Sequence, residues 1–169
     1  MAGPRDAVIT SVKSTRVVAA RRLASRAFRA KQRLFLAEGP QAVREAVAEK
    51  GLLSELFATA EAAGRHPELL DAAHAGGATV TIATDEVVDS LGDTVAGQGI
   101  VGVCRFLDQP LAAVLERPVQ LIVLLAHIRD PGNAGSVLRA ADAAGADAVL
   151  FSGESVDVYN PKEIGRAHV

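Results

Sequence analysis

The sequence predicts an α/β protein, on three observations. Short apolar runs rich in Val, Ile and Leu alternate with segments of helical periodicity along most of the 169 residues. Hydrophobic residues make up 49% of the chain but aromatic residues only 4%, so small aliphatic side chains supply the core. The run at 119–128, "VQLIVLLAHI", is almost wholly apolar, as is typical of a parallel strand buried on both faces. Together these features indicate strands covered by helices.

The first element is a basic helix at 15–31, which Thr15 could cap. Its spacing predicts one continuous amphipathic helix with these residues facing inward: Val17, Ala20, Ala24, Ala27 and Phe28. Four arginines follow i, i+4, i+7 and i+11 spacing, so a continued helix aligns them on one face: Arg22, Arg26, Arg29 and Arg33.

Strands and helices then alternate. Strands are predicted at 33–39, 55–59, 79–84, 99–106, 119–128 and 146–153. Helices are predicted at 40–51, 67–77, 85–92 and 133–145. The helix at 40–51 has the clearest start and stop signals, because Pro40 stands near its start and Gly51 just past its end.

The elements group into two domains. Residues 1–106 form an alternating α/β domain, and 107–118 form a linker with prolines at both ends and a middle of helical composition. Residues 119–162 hold a single βαβ unit, which cannot cover both faces of its sheet, so we expect the second domain to be incomplete. The last seven residues, 163–169, continue no pattern and are interpreted as a non-native tail.

Charge is distributed unevenly, although the net charge is only −2. Residues 1–36 carry nine Lys or Arg and one acid, which makes this segment +8 and the rest of the chain −10. A basic end on an acidic chain indicates a polyanionic partner. The alternative is an ordinary solvated helix face.

Several classes of protein are disfavoured. A single cysteine, Cys104, excludes an internal disulfide and is typical of a reducing cytoplasm, and we expect it to be buried in a strand. No apolar run reaches eighteen residues, so no membrane span is expected. The four histidines show no metal-binding spacing, and His127 could touch a substrate or serve the structure.

The loop at 127–133, "HIRDPGN", is the best candidate site. Ligands of parallel α/β sheets bind at the carboxyl ends of strands, where this loop lies. Pro131 and Gly132 favour a tight turn, and Asn133 is well placed to cap the following helix, whose free N–H groups favour an anion. Glycine-rich nucleotide fingerprints are absent. Arg139 in that helix could simply pair with Asp142 on the surface.

Residues 130–151, "DPGNAGSVLRAADAAGADAVLF", resemble the first signature motif of the SpoU/TrmH family of RNA ribose 2′-O-methyltransferases. The resemblance lies in Asp130, Pro131, Asn133, Gly135, Arg139, Ala141 and Gly145. Two upstream stretches, "KQRLFLAEGPQAVREAV" and "DTVAGQGIVGVC", are similar to the family's substrate-binding domain. The similarity therefore extends in order along nearly the whole chain, to about Lys162.

The resemblance implies an N-terminal α/β RNA substrate-binding domain, like those of some RNA-binding ribosomal proteins. It implies that the first part of an α/β knotted methyltransferase domain follows, which binds S-adenosyl-L-methionine, needs no metal and works as a cytoplasmic homodimer. Asn133 and Arg139 then become active-site residues for 2′-O-methylation of a ribose in structured RNA, with rRNA as the expected substrate. The expected RNA phosphate contacts, best first, are Lys31 and Arg33, then Arg29, with Arg22 and Arg26 beside them.

Departures from the family pattern set further expectations. The two later family motifs, which form most of the cofactor pocket, are not found, so we expect residues 1–169 alone to bind S-adenosyl-L-methionine poorly and to be inactive. Gly97 stands where relatives often have proline, which predicts a looser turn. The alternatives are a non-catalytic RNA-binding module and a nucleotide-binding α/β enzyme that uses the Asn133 loop; the missing glycine fingerprint counts against the second.

Overall fold

The computed structural model describes residues 8–92 and 98–159. The chain divides into two compact units, Met1–Phe106 and Leu107–Val169. Two sequence-based interpretations, the loose turn at Gly97 and the non-native segment 163–169, lie outside the described residues.

The first unit is an α/β unit built on four strands. Its elements in chain order are α1 (Thr15–Arg21), a 3-10 turn (Arg22–Ala24), α2 (Arg26–Gln32), β1 (Leu34–Glu38), α3 (Gly39–Ala48), β2 (Leu53–Ala58), α4 (Ala60–Arg65), α5 (Pro67–Ala75), β3 (Thr79–Ile82), α6 (Asp85–Asp89) and β4 (Ile100–Arg105). The sheet order is β1-β4-β2-β3. Strand β4 is antiparallel to both of its neighbours, and β2 and β3 are parallel. The predicted α/β alternation is confirmed, and α4 is an additional helix.

Helices cover both faces of this sheet. On one face, Leu36, Phe57 and Val101 form a buried cluster with Val17 of α1 and Val87 of α6. Apolar burial of this kind is the main stabilising contribution to such a unit. The strand residues between them point to the opposite face, as the two-residue strand period requires.

Helix α3 covers that opposite face, where β4 carries a glycine. A Cβ atom at Gly102 would lie 2.7 Å from Cδ1 of Leu53 and 3.6 Å from Cγ2 of Val43 in α3. A glycine inside a strand commonly marks such a close approach. Strand β4 is therefore packed from both sides.

The prediction of one continuous basic helix is wrong. The backbone of Ser25 is extended, with φ −82° and ψ 125°, so α1 and the 3-10 turn end before α2 begins. The break turns Leu23 into the core at 2% exposure, whereas Ala24 and Ala27, which were expected to face inward, are exposed. Tertiary burial of Leu23 outweighs the helical propensity of the segment. The four arginines therefore do not share one continuous helical face.

The second unit contains one βαβ motif, as the sequence predicts. Its elements are α7 (Leu111–Leu115), which lies inside the predicted linker, β5 (Ile122–Ala126), α8 (Pro131–Ala143) and β6 (Ala148–Ser152). Strands β5 and β6 are parallel, and Ile122 pairs with Ala148.

The prediction that this strand is buried on both faces is wrong. Leu125 is the buried residue of β5, whereas Leu124 is 61% exposed. Among the residues described, this sheet has two strands, so β5 pairs with a neighbour along one edge, and the exposure of Leu124 shows that one face is open. No helix in the described ranges is long and apolar enough to cross a membrane.

Candidate functional site

The carboxyl ends of β5 and β6 lie at one edge, because the two strands are parallel neighbours. His127, just past β5, donates its backbone N–H to the carbonyl of Ser152 at 3.1 Å, and its Nδ1 accepts from the backbone N–H of Glu154 at 3.4 Å. The imidazole fills the space that a Cβ atom would need at Gly153. These contacts support the structural alternative for His127, which fastens the two loops together.

Asp130, rather than Asn133, caps helix α8. The Oδ1 atom of Asp130 accepts a hydrogen bond from the backbone N–H of Asn133 at 2.7 Å. Pro131 occupies the first helical turn, where a backbone N–H would have no helical partner in any case. The residue before it, Asp130, is therefore the N-cap. The capping role expected of Asn133 is therefore wrong, and its exposed side chain is not used in the cap.

Arg139 lies on the exposed side of α8, whereas Ala134 and Ala141 are buried on the other side. Its Nη2 atom donates to Oγ of Ser136, one turn earlier, at 3.1 Å. The Ser136 hydroxyl donates in turn to the backbone carbonyl of Gly132 at 2.8 Å. The contact between Ser136 and Arg139 was not predicted from the sequence, although the three-residue spacing of the two residues was a signal that could have revealed it.

Asn133, Ser136 and Arg139 recur at three-residue intervals and are all exposed. They form a slanted polar stripe along α8, which we call the α8 stripe. An arginine stays cationic at all ordinary pH values and presents planar donors suited to phosphate or to a developing oxyanion. The stripe can therefore bind an anionic, hydroxyl-bearing ligand. Among the described residues, no group of three His, Cys, Asp or Glu side chains could hold a metal ion.

The basic segment of the first unit is used partly inside the fold. Arg29 is 3% exposed, and its Nη1 donates to the carbonyls of Leu23 and Ala24 at 2.6 Å and 2.8 Å. Those carbonyls lie at the end of the 3-10 turn, where no helical partner follows. A buried guanidinium cannot reach a phosphate on the surface, so Arg29 is removed from the predicted RNA contacts.

Arg16 is a second arginine whose side chain serves the fold, although it is only half-buried. Its Nε donates to Glu55 at 2.7 Å and its Nη2 to Oγ1 of Thr81 at 2.5 Å, which ties α1 to strands β2 and β3. Burial raises the pKa of the Glu55 carboxyl, and the charge of Arg16 opposes that shift. Sequence reasoning gave Arg16 no such role, because its partners lie far along the chain.

The other predicted RNA contacts are exposed: Arg22, Arg26, Lys31 and Arg33. Two of them lie over aromatic rings. The guanidinium carbon of Arg22 is 4.2 Å from the ring centroid of Phe28. The guanidinium carbon of Arg33 is 4.9 Å from the ring centroid of Phe106. Such pairs hold the cations in place while leaving them on the surface.

The chain thus combines an α/β unit that has surface arginines with a βαβ unit that carries a polar stripe on the helix after β5. Two family models match the chain: the MRM3-like substrate binding domain at residues 14–102 and the SpoU rRNA Methylase family at residues 120–168. The chain belongs to the SpoU/TrmH family, as its sequence resemblance indicates.

Known relatives agree in fold. The 23S rRNA (guanosine(2553)-2′-O)-methyltransferase RlmP of Bacillus subtilis is 30% identical over 159 residues, which is 94% of this chain and 60% of the relative. The AdoMet-bound rRNA methyltransferase from Sinorhizobium meliloti aligns with TM-score 0.78 and 25% identity, over 96% of this chain and 61% of that structure. A structure described as an RNA 2′-O ribose methyltransferase aligns with TM-score 0.68 and 30% identity, over 95% of this chain and 60% of that structure. The chain thus spans about three fifths of these relatives.

Proposed function

We propose that the protein transfers a methyl group from S-adenosyl-L-methionine to the 2′-oxygen of a ribose in rRNA. The first unit binds the RNA, and the α8 stripe of the second unit contacts the reacting nucleotide. The observation that carries the proposal is the exposed, hydrogen-bonded guanidinium of Arg139 in the helix that follows the carboxyl end of β5. The relatives whose names state rRNA or ribose 2′-O-methylation support the same reaction.

Arg139 acts on the RNA rather than as a base, because a guanidinium does not release its proton near neutral pH. It holds the ribose or its adjacent phosphate and stabilises the negative charge that develops on the 2′-oxygen during attack. Asn133, released from capping by Asp130, offers an exposed amide that orients the same nucleotide. Fixing the nucleophile in this way supplies much of the rate enhancement, since positioned reactants gain several kcal/mol.

S-adenosyl-L-methionine would supply an electrophilic methyl group on a positively charged sulfur. Its transfer would break the sulfur–methyl bond, leave S-adenosyl-L-homocysteine and release the proton of the 2′-hydroxyl to water. The edge where β5 and β6 end carries the exposed carboxylate of Asp130, whose charge fits a cationic donor. Its Oδ1 atom also fixes the start of α8. Glu154 at the same edge is already paired with Arg129 at 3.4 Å.

RNA binding rests on the exposed cations of the first unit, with Lys31 and Arg33 as the main phosphate contacts and Arg22 and Arg26 beside them. Binding through phosphates releases counterions, so affinity should fall steeply as salt is raised.

We also propose a cytoplasmic homodimer. The second unit exposes several large apolar side chains that a second copy could cover: Leu107, Leu111, Leu115, Leu121, Ile122 and Leu124. Large apolar side chains that form a contiguous exposed patch commonly mark an interface. Sedimentation across a range of protein concentrations tests this part of the proposal, and a monomer at all concentrations would refute it.

Mapping of 2′-O-methyl groups in rRNA tests the reaction. The assay uses the product of the whole reading frame that encodes these residues, with residues 1–169 alone in parallel. Arg139→Ala should lower methyl transfer about 100-fold or more, as removal of an oxyanion-stabilising donor does. Arg117→Ala, an equal loss of charge elsewhere in the second unit, is the matched control. RNA binding without methyl transfer by the wild-type product would favour the non-catalytic RNA-binding module instead.

A further inference from the structure

Arg33 has a backbone conformation that favours glycine. Its φ is 56° and its ψ 39°, in the left-handed region, at the residue that ends helix α2. Elsewhere this chain places glycine in such positions just after its helices, at Gly51, Gly77 and Gly145. Within the described residues, Arg33 and His127 are the two non-glycine residues with positive φ. Strained residues of this kind cluster at functional sites.

Backbone hydrogen bonds to helix α2 on one side and to the chain just after β4 on the other hold Arg33 in this conformation. Its backbone N–H donates to the carbonyl of Arg29 at 2.7 Å, which closes α2. Its carbonyl accepts from the backbone N–H of Phe106 at 2.9 Å, which extends the β1–β4 ladder by one pair. Any residue at position 33 is thus forced into the left-handed region, and glycine would fit it with less strain. Arginine at this position therefore carries a backbone strain that glycine would avoid.

The Arg33 side chain lies over one aromatic ring, Phe106, which makes a tilted contact with a second ring beneath it. The guanidinium carbon lies 4.9 Å from the centroid of the Phe106 ring, and this ring lies 6.4 Å from that of Phe35, which is buried. Phe106 anchors the stack to the core, and the exposed Arg33 forms its outer layer. We call this arrangement the Arg33–Phe106 stack.

A phosphate contact alone does not account for the stack. Lys31, two residues earlier in α2, is exposed and supplies a mobile cation without backbone strain. A flat guanidinium backed by an aromatic ring has a different use, because unpaired bases stack on arginine planes and aromatic faces. Its planar geometry is something lysine lacks.

We propose that the Arg33–Phe106 stack is a docking surface for an unpaired base of the RNA. This inference rests on the proposed function, since it assumes that the first unit binds RNA. It adds that recognition there depends on a single-stranded nucleotide, in a loop or bulge, rather than on duplex backbone alone. Arg33 is then a specificity-determining residue as well as a cation.

The test compares variants of the full chain on two RNA probes. One is a hairpin whose loop carries the fluorescent base 2-aminopurine, and the other is a fully paired duplex of the same length. Arg33→Lys keeps the charge but removes the plane, and Arg33→Gly removes the side chain while suiting the backbone. Arg105→Lys is the matched control. Arg105 is the last residue of β4 and directly precedes Phe106, but its guanidinium donates to the carbonyl of Gly51 at 2.7 Å.

We expect the wild-type chain to quench the hairpin fluorescence and to bind the hairpin more tightly than the duplex. Arg33→Lys should weaken hairpin binding about tenfold, as loss of one stacked base does, and leave the salt dependence unchanged. Arg33→Gly should weaken it further and lower the salt slope by about one, while its melting temperature stays at or above the wild-type value. Arg105→Lys should bind like the wild type.

Three outcomes would overturn the inference, and they can be told apart. If the wild-type chain binds both probes equally, and Arg33→Lys does too, the chain binds RNA but the stack reads no base. If the wild-type chain binds neither probe at low salt, the proposed RNA-binding function itself fails, and the inference fails with it. A large fall in melting temperature for Arg33→Gly without any change in RNA affinity would assign the stack to the fold alone.

Discussion

The Nη2 atom of Arg139 donates a hydrogen bond to Oγ of Ser136 at 3.1 Å. Because a hydroxyl has one proton, and that of Ser136 goes to the carbonyl of Gly132 at 2.8 Å, its lone pairs are left to face the guanidinium. Ser136 therefore acts as a positioning residue for Arg139, and the α8 stripe is organised before any ligand arrives.

Replacing Ser136 tests this relationship. Ser136→Ala should lower the methyl-transfer rate about fivefold to tenfold, because an arginine that loses one hydrogen bond samples more orientations. RNA affinity should stay unchanged, since no charge is lost. Ser136→Thr retains the hydroxyl and should restore the rate. Single-turnover methyl transfer measures the effect, and equal rates for all three proteins would contradict it.

Tyr159 should stabilise the second unit through its hydroxyl. The oxygen accepts from the backbone N–H groups of Leu107 and Asp108 at 2.9 Å and 3.0 Å, and the hydroxyl donates to Oδ1 of Asp108 at 2.8 Å. Tyr159→Phe leaves these groups without that partner, so the free energy of unfolding should fall by about 1–3 kcal/mol. Urea denaturation measures the change, and an unaltered midpoint would contradict it.

The same residue gives a direct spectroscopic test. Burial and the hydrogen bond to Asp108 raise the pKa of Tyr159 to about 12. It is the one tyrosine in the sequence, and there is no tryptophan, so phenolate absorbance reports its ionisation alone. Stabilisation by the neutral phenol is complete below the unfolded pKa of about 10 and is lost as pH rises toward the folded value. Native titration with a midpoint near 10 would be inconsistent with this environment.

Asp147 should make the second unit sensitive to acid. Its Oδ2 atom accepts from the backbone N–H groups of Leu121 and Gln120 at 2.9 Å and 2.7 Å, and these bonds hold the pKa of the carboxyl below its usual range. Stabilisation by the carboxylate is therefore present above the unfolded pKa and is lost as pH falls through the lower folded value. Asp147→Asn should flatten the fall in melting temperature below about pH 4. A variant with the wild-type acid response would rule this out.

Arg29 should matter for stability. Arg29→Met leaves the carbonyls of Leu23 and Ala24 without this donor, and we expect the free energy of unfolding to fall by about 2–4 kcal/mol. Arg26→Met, an exposed change in the same helix, is the control and should stay within about 0.5 kcal/mol. Thermal denaturation of both variants provides the comparison. Equal stability of Arg29→Met and wild type would show that the buried bonds contribute nothing.

Cys104 should be chemically inert in the native protein. It is fully buried in β4, as the sequence predicts, and burial raises the pKa of its thiol to about 12. Because the thiolate is the reactive form, labelling by a thiol reagent should be slow until denaturant unfolds the first unit. Rapid labelling without denaturant would contradict the packing described for this strand.

The sequence alone determined the α/β class, the order of the described strands, and the position of the loop before α8. Each of these depends on local signals: apolar periodicity, a proline near a helix start, a glycine after a helix end. The strand β5 and the helix containing Arg139 were predicted for that reason, and the family resemblance of the same residues gave them their chemical meaning.

The tertiary structure alone decided which charged groups are available for that chemistry. Arg16 and Arg29 are indistinguishable by local sequence from Arg22 and Arg26, but the first pair is used inside the fold. Arg16 reaches Thr81, 65 residues away, and the break at Ser25 exists because Leu23 enters the core. Burial and long-range hydrogen bonding depend on residues distant along the chain, so no helical periodicity could reveal which arginines remain on the surface.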